Sequence, residues 1–358
     1  MNTAAGGPAD TSPWQASATA QGAVCLFTSI GEPQSSGTRE IVTVTQSLDL
    51  TETVTVTATG TVPPDRTGRS TGPVISVTVV DRARGTVRSH DPEQPDDPSV
   101  GPVVRAVTVI VDRYRKLAPD SLLPQVEIRI GREIPAGVLA CADADAAATL
   151  AAMRDILHGR DAVDHGLAPV PGPDDSELRS LASLVGPGVP ARFIGGTVLD
   201  KGSGPVPVMT RGVRHWAFAT DDRSLAAEPL SVEKLVAGLD SLREAANRGE
   251  RVYYILAGSV THIQRALLDE DPTVVGGFLD NDLHALVCSF RPGLRLSMNV
   301  AVEAEALGVV VSGAEPTLAV LCADRDHAVE VAAAVAGSGH AGPTLVASSS
   351  PHGVRSVP

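Results

Sequence analysis

Apolar and polar residues alternate over four segments in the first third of the chain: Ile41 to Leu48, Glu52 to Ala58, Val74 to Val80 and Val126 to Ile130. A period of two sends successive side chains to opposite faces of a pleated backbone, so each segment predicts a strand. Val103 to Leu117 gives two signals. Val103, Val107, Ile110, Val111 and Tyr114 recur at helical spacing, while so many β-branched residues favour a strand; the spacing decides for a helix. Gly and Pro then recur from Gly159 to Pro173, predicting a surface loop before a helix over Ser176 to Leu184.

A second region follows the turn-rich Lys201 to Pro207. Val232, Leu235, Val236, Leu239 and Leu242 form an apolar stripe that predicts a helix over Val232 to Asn247. Near the end come a strand over Gly308 to Ser312, a turn, a strand over Leu318 to Cys322, and a helix over Ala328 to Ala336 closed by Gly337. That order suits a small α/β layer pair with an antiparallel sheet. The Ala-, Gly-, Thr-, Ser- and Pro-rich residues 1–19 and the residues past His340 predict disordered or ragged tails.

The stretch Ile134 to Leu150 breaks this regular patterning. It has the outline of a phosphate-binding loop running into a helix, with Ala146, Leu150, Met153 and Leu157 on one helical face and Gly159 as the stop. Such a loop turns backbone N–H groups inward, which favours glycine, and ends at the partial positive charge of a helix N-terminus. After Gly137, however, the positions read Val138, Leu139, Ala140, Cys141, Ala142, Asp143, Ala144 and Asp145.

Composition narrows the partners. A net charge of −13 with a pI near 5.1 argues against nucleic acid or an anionic membrane, leaving a small-molecule ligand as the expected class and a protein partner open. At 358 residues two domains are expected. Cys25, Cys141, Cys288 and Cys322 have neither metal-site nor disulfide spacing, which suits free thiols in a reducing cytoplasm. No apolar run reaches the ~20 residues needed to span a bilayer.

Taken in order, the segments resemble the GHMP kinase superfamily, and within it the kinases of the non-mevalonate isoprenoid pathway. The resemblance covers roughly Gln21 to Gly339 and rests on several segments. They are Glu40 to Gln46 with Leu48 and Leu50 to Val56, Ile134-Pro135 with Asp145 to Ala148, and Gly195-Gly196-Thr197. His215 to Phe218, Asn281 to Leu283, Ser312-Gly313 with Pro316-Thr317, and Leu321 to Ala323 complete the series. It implies an α+β, two-domain GHMP-kinase fold: a ribosomal S5 domain 2-like amino-terminal domain over residues 20–203 and a ferredoxin-like carboxy-terminal domain over residues 204–340. It also implies ATP with Mg²⁺ at the loop and γ-phosphate transfer to a hydroxyl of a cytidine-diphosphate-linked methylerythritol.

The resemblance assigns the reacting positions one by one. The family's first-strand lysine falls at about Ala23, and its catalytic aspartate falls at Gly188 in Gly186-Pro-Gly-Val-Pro190, so general-base help is missing there. The cytosine clamp falls at Thr38 and Arg39, beside Glu40; threonine cannot supply aromatic stacking worth about 1–3 kcal/mol per base. The loop is one residue short and carries Asp143 where a serine would face phosphate; like charges ~4 Å apart repel by ~1 kcal/mol in water and by more when partly buried. Glu315 replaces a glycine after the cleft pair Ser312 and Gly313. The departures gather at functional positions, which predicts a retained fold without the family's chemistry. An active, divergent kinase is the alternative.

Four further features carry weaker signals. Asp143, Asp145 and Glu315 suit a hard cation by residue type, but Asp145 sits where a helix N-terminus favours an acid, and no metal site is predicted. His215 beside Trp216 reads as a framework histidine, and Asp200 with Lys201 as a solvated turn. The acidic stretch Asp91 to Asp97 reads as an exposed loop.

Overall fold

The computed structural model describes residues 12–35, 37–63, 73–82, 85–93, 100–221, 230–250 and 256–357. The first half runs β1 (Trp14–Ile30), β2 (Ile41–Val62), β3 (Val74–Asp81), β4 (Thr86–His90), α1 (Gly101–Leu117), β5 (Leu123–Arg132), α2 (Cys141–His158), α3 (Arg160–Asp164), α4 (Asp175–Val185), α5 (Val189–Ile194), β6 (Thr197–Asp200) and β7 (Val206–Val208). The second half runs β8 (His215–Asp221), α6 (Val232–Asn247), α7 (Val260–Ala266), α8 (Pro272–Gly276), β9 (Asp280–Asn281), α9 (His284–Phe290), α10 (Pro292–Glu303), β10 (Gly308–Val311), β11 (Thr317–Cys322), α11 (Arg325–Gly337), β12 (Ala341–Ser348) and β13 (Arg355–Val357).

One sheet is ordered β13-β1-β2-β5-β3-β4, with β6 and β7 continuing from the first half of β2 and β9 beside β1. Its spine is the long antiparallel β1–β2 hairpin, whose partner changes along its length: Thr43 to Gln46 pair with β6, Thr53 to Val62 with β5. Helix α2 lies across β1 and β2 and against α1. Ala144, Ala146, Ala147, Ala148 and Leu150 are all fully buried, and a helix apolar around most of its girth belongs inside. The expected helix at 103–117 is α1, with Val103, Val107, Ile110, Val111 and Tyr114 facing the core.

The second sheet is ordered β10-β11-β8-β12 and is antiparallel throughout. With α6 between β8 and β10, and α11 between β11 and β12, its chain order is the β-α-β-β-α-β unit of a ferredoxin-like domain. The architecture is thus the expected α+β one, with two sheets. A third apolar cluster joins the sheets, bringing Val24, Leu26 and Phe27 of β1 together with Val138, Leu139, Trp216 and Phe218.

Three expectations are corrected. Residues 14–19 are not a disordered tail: Trp14 to Ala20 pair with β2 from Ala58 to Glu52, and Ala18 and Ala20 are fully buried. Low apolar content hid the strand, although Ala16, Ala18 and Ala20 alternate with Ser17, Thr19 and Gln21. Residues past His340 are not ragged either, because β12 completes the second sheet beside β8 and β13 returns to β1, pairing Val357 with Ser17. The strands expected at 41–48 and 52–58 are one continuous β2, since Asp49 and Leu50 stay extended where the alternation lapses. Residues 94–97 of the acidic stretch lie outside the described residues.

Candidate functional site

The turn between β10 and β11 carries one side chain across to the loop that precedes α2. Ser312 N–H donates to Thr317 O at 2.9 Å, Glu315 N–H to Ser312 O at 3.2 Å, and Thr317 N–H to Glu315 O at 2.8 Å. Gly313 takes φ +60, and the turn is tied to β1 because Cys25 N–H donates to Ser312 Oγ at 3.0 Å. The tip aims Glu315 at the loop, where its Oε1 accepts the Ala140 N–H at 3.0 Å. Leu139 N–H also bonds the carboxylate, yet burial dominates and pushes Glu315 up to about 7.

The loop keeps an unusual backbone without the usual residues for it. Gly137, Leu139 and Ala140 have φ of +80, +50 and +54, so two L-residues stand in the left-handed region. That conformation costs about 1–2 kcal/mol per residue. The surroundings hold it: Val138 and Leu139 are sunk into the cluster between the sheets, and Leu139 O accepts the Ala23 N–H at 2.8 Å. Gly137 N–H donates to Cys141 Sγ at 3.3 Å, and α2 begins at Cys141 with no side-chain cap. Gly22 leaves the room required, since a Cβ there would lie 2.4 Å from Ile134 Cδ1.

Beside the loop is a cavity of about 130 Å³ whose wall includes Ala23, Cys25, Thr43, Thr45, Ala140, Asp143, Gly188, Arg192, Asp200, Ser312, Gly313 and Glu315. Positions assigned to different motifs therefore meet in one place. A Cβ on Gly188 would lie 2.1 Å from Asp143 Oδ2, so the Asp143 carboxylate fills the space into which a side chain at 188 would grow. Burial raises the Asp143 carboxyl, opposed by the charge of Arg192. Arg192, on α5, is 3% exposed; its Nε and Nη1 have no hydrogen-bond partner, and burial lowers its pKa. The sequence reading missed this residue. Its signal was a lone cation in the otherwise apolar run Val189-Pro-Ala-Arg-Phe-Ile194.

Two residues from Asp143, Asp145 turns the other way and is fully buried against Arg132, whose Nη2 donates to Asp145 Oδ2. Glu52 joins them from β2, its Oε1 accepting the Ile134 N–H at 2.9 Å. Burial and the neighbouring Asp145 push Glu52 up to about 9, which keeps it neutral at physiological pH. Asp145 is thus separated from Asp143 and Glu315. Ala142 is half-buried and Ala144 buried, and neither contributes a polar side chain to the cavity.

Thr38, Arg39 and Glu40 lie in the β1–β2 turn and are not among the residues lining that cavity. Thr38 and Glu40 are exposed, and Arg39 makes a two-point bond to Asp240 of α6 at 3.1 and 2.8 Å. Asp200 reaches the cavity wall and accepts the Gly202 N–H at 2.7 Å, while Lys201 is exposed and off the wall. His215 bonds Ser348 Oγ at 3.0 Å, away from the cavity. All four cysteines are buried free thiols.

No protein-family model matches the chain. Curated sequences do: the 4-diphosphocytidyl-2-C-methyl-D-erythritol kinase of Corynebacterium jeikeium is 34% identical over 341 residues, covering 93% of this chain and 91% of the relative. The chain belongs to the 4-diphosphocytidyl-2-C-methyl-D-erythritol kinase family. Solved structures agree on the fold. A 4-(cytidine 5'-diphospho)-2C-methyl-D-erythritol kinase superposes with a TM-score of 0.57 at 16% identity, covering 93% of this chain and 98% of its own. An L. major mevalonate kinase in complex with R-mevalonate gives 0.64 at 14% identity, covering 96% and 99%.

Membership of this kinase family implies ATP, and the residues present can be tested for fit. A triphosphate needs inward N–H groups, neutral or cationic neighbours and room. Here a carboxylate already takes the Ala140 N–H, a second one, Asp143, stands on the same wall, and Ala23 presents only a methyl group to it. The donor set does not fit a triphosphate in this arrangement. Among the described residues no group of three or more His, Cys, Asp or Glu side chains gathers as a metal site, and no helix is long and apolar enough to cross a membrane.

Proposed function

We propose that this chain is a non-catalytic member of its kinase family, keeping the two-domain cleft for binding or regulation rather than phosphoryl transfer. One observation carries the reading. Ala23 and Gly188, the positions that the resemblance assigns to the family's lysine and aspartate, lie on the wall of a single cavity whose lining contains no lysine. A methyl group and a hydrogen neither neutralise phosphate charge nor accept a proton. Relatives named 4-diphosphocytidyl-2-C-methyl-D-erythritol kinase make isoprenoid biosynthesis the metabolic setting in which such a role would be exercised.

A second reading, an active but divergent small-alcohol kinase, draws support from the placement of Asp143. Its carboxylate lies at the mouth of position 188, and Arg192 supplies a cation on the same wall. Calorimetric titration of the purified protein with ATP, Mg²⁺ and the cytidyl substrate, paired with a turnover assay, separates the two. The non-catalytic reading expects no turnover and no ATP heat. Turnover at about 1–100 s⁻¹, typical of kinases, would sink it.

A further inference from the structure

The loop at 137–141 retains the backbone of an anion nest although its side chains are no longer those of a phosphate loop. Leu139 and Ala140 both hold positive φ, a conformation that nothing in their residue types favours, and they lead directly into an 18-residue helix. Consecutive N–H groups turned inward at a helix start attract an anion. The anion that occupies this nest is intramolecular: Glu315 Oε1 sits 3.0 Å from Ala140 N. The six-residue turn from Ser312 to Thr317 is closed by three backbone hydrogen bonds and fixed to β1 through Ser312 Oγ, so the carboxylate is delivered by a rigid tip.

Arg192 supplies an independent observation on the same cavity. It is 3% exposed, its Nε and Nη1 are buried without partners, and it lines the wall shared with Ala140 and Glu315. A buried guanidinium normally has its donors satisfied, since unmade bonds at a desolvated charge are strongly disfavoured. Arg192 feels the charges of both Asp143 and Glu315 yet donates to neither. Its unmade bonds point to an acceptor that the protein itself does not provide. A tetrahedral oxyanion that took the place of the Glu315 carboxylate would meet the loop N–H groups on one side and Arg192 on the other, with Asp143 and Asp200 as the opposing charges on the wall.

We propose that Glu315 is the resident anion of a retained oxyanion site built by the Leu139–Ala140 nest and Arg192, and that its carboxylate is what keeps phosphate-bearing ligands out. This rests on the non-catalytic reading and gives it a cause at one side chain. Glycine at 315 would withdraw the carboxylate entirely. Glutamine would keep its shape and its carbonyl acceptor without the charge.

The test uses the full chain and inorganic phosphate and pyrophosphate as probes, with calorimetry for affinity and amide NMR for location. Glu315→Gly is expected to bind phosphate about tenfold or more tighter than the native protein, with the Leu139 and Ala140 amide signals shifting on titration. Adding Arg192→Gln to Glu315→Gly is expected to abolish most of that gain. Glu315→Gln guards against a misfolded glycine variant and is expected to show a smaller gain of the same sign. Phosphate affinity unchanged in both folded variants would overturn the proposal, as would a gain indifferent to Arg192→Gln or shifts confined to other amides. These outcomes leave the non-catalytic reading standing, because that reading fails only on turnover by the native protein.

Discussion

Two clusters of one arginine and two carboxylates flank the start of α2, and their difference separates structure from site. In the inner cluster, Arg132 contacts Asp145 directly and neutral Glu52 receives the Ile134 N–H, so one cation meets one anion. Glu52 Oε2, Arg132 Nε and Asp145 Oδ1 still lack partners, yet the charges themselves are matched. In the outer cluster, the Arg192 side chain leaves Nε and Nη1 without partners, Asp143 fills the space beside Gly188, and Glu315 has gone to the loop. Residues two apart in sequence, Asp143 and Asp145, thus serve opposite ends: one braces the loop from beneath and the other lines a cavity. A matched, enclosed pair holds a fold in register, whereas a buried cation with no close carboxylate partner marks a place where something binds.

The largest effect should come from breaking the matched pair. Arg132→Met leaves the Asp145 carboxyl without its cation in a fully buried position, and loss of one partner of such a pair costs about 3–5 kcal/mol. Arg192→Met removes a cation that feels Asp143 and Glu315 but makes no close ion pair, and is expected to cost less than half as much. Urea unfolding of both variants decides the matter, and equal losses would erase the distinction between the clusters.

The inner cluster also predicts a pH dependence. Glu52 is raised in the fold from 4.5 to about 9, so between those values the folded chain holds a proton that the unfolded chain has released. Stability from this group is complete below about 4.5 and is lost as pH rises toward about 9, with a slope of at most about 1.4 kcal/mol per pH unit, lessened by coupling to Asp145. Glu52→Gln should flatten that fall. Urea midpoints measured across the interval that ran parallel for both proteins would show that Glu52 is not the proton holder.

In the outer cluster the packing of Asp143 against position 188 is directly testable. Gly188 has φ −84, which any residue tolerates, so Gly188→Ala meets no backbone strain and its penalty is steric. The new Cβ would sit 2.1 Å from Asp143 Oδ2, and overpacking of this kind costs about 1–3 kcal/mol. Asp143→Gly in the same chain should relieve much of it, giving a coupling of about 0.5–3 kcal/mol in a double-mutant cycle. Additive losses would mean that the two positions do not compete for one space.

Much of this arrangement was legible in the sequence, for physical reasons that differ by residue. Helices α1 and α6 announced themselves because their apolar stripes face a core, and β3 and β5 because they alternate. The terminal strands did not, since small residues pack well in β1 without standing out as apolar, and β12 gains its register from β8, far away in the chain. At the site, Ala23, Gly188, Asp143 and Glu315 were each found by departure from a motif, and their convergence on one cavity needed the fold. Arg192 had no motif to depart from. That Asp143 and Asp145 point apart follows from their spacing only once both are on α2, where residues two apart lie on different faces, and the loop's left-handed turn sets where α2 begins.

The smallest effect concerns the turn that the family resemblance assigns to cytosine. Arg39 bonds Asp240 through both nitrogens, but the side chains are 19% and 28% exposed, and pairs of that kind are worth about 0.2–1 kcal/mol. Arg39→Ala should therefore lower stability by less than about 1 kcal/mol, and less still in 1 M salt, where the screening length falls to about 3 Å. The hydrogen bond from Arg39 holds the Asp240 carboxyl below its usual 3.8. The pair's contribution is accordingly present above that value and lost as pH falls through the depressed one. A double-mutant cycle with Asp240→Ala, run at neutral pH and again in strong acid, should show a small coupling that vanishes in acid. A coupling that persisted in acid would mean that Arg39 fastens the turn to α6 by packing rather than by charge, making the outer contacts of the cleft as structural as the Arg132 pair beneath the loop.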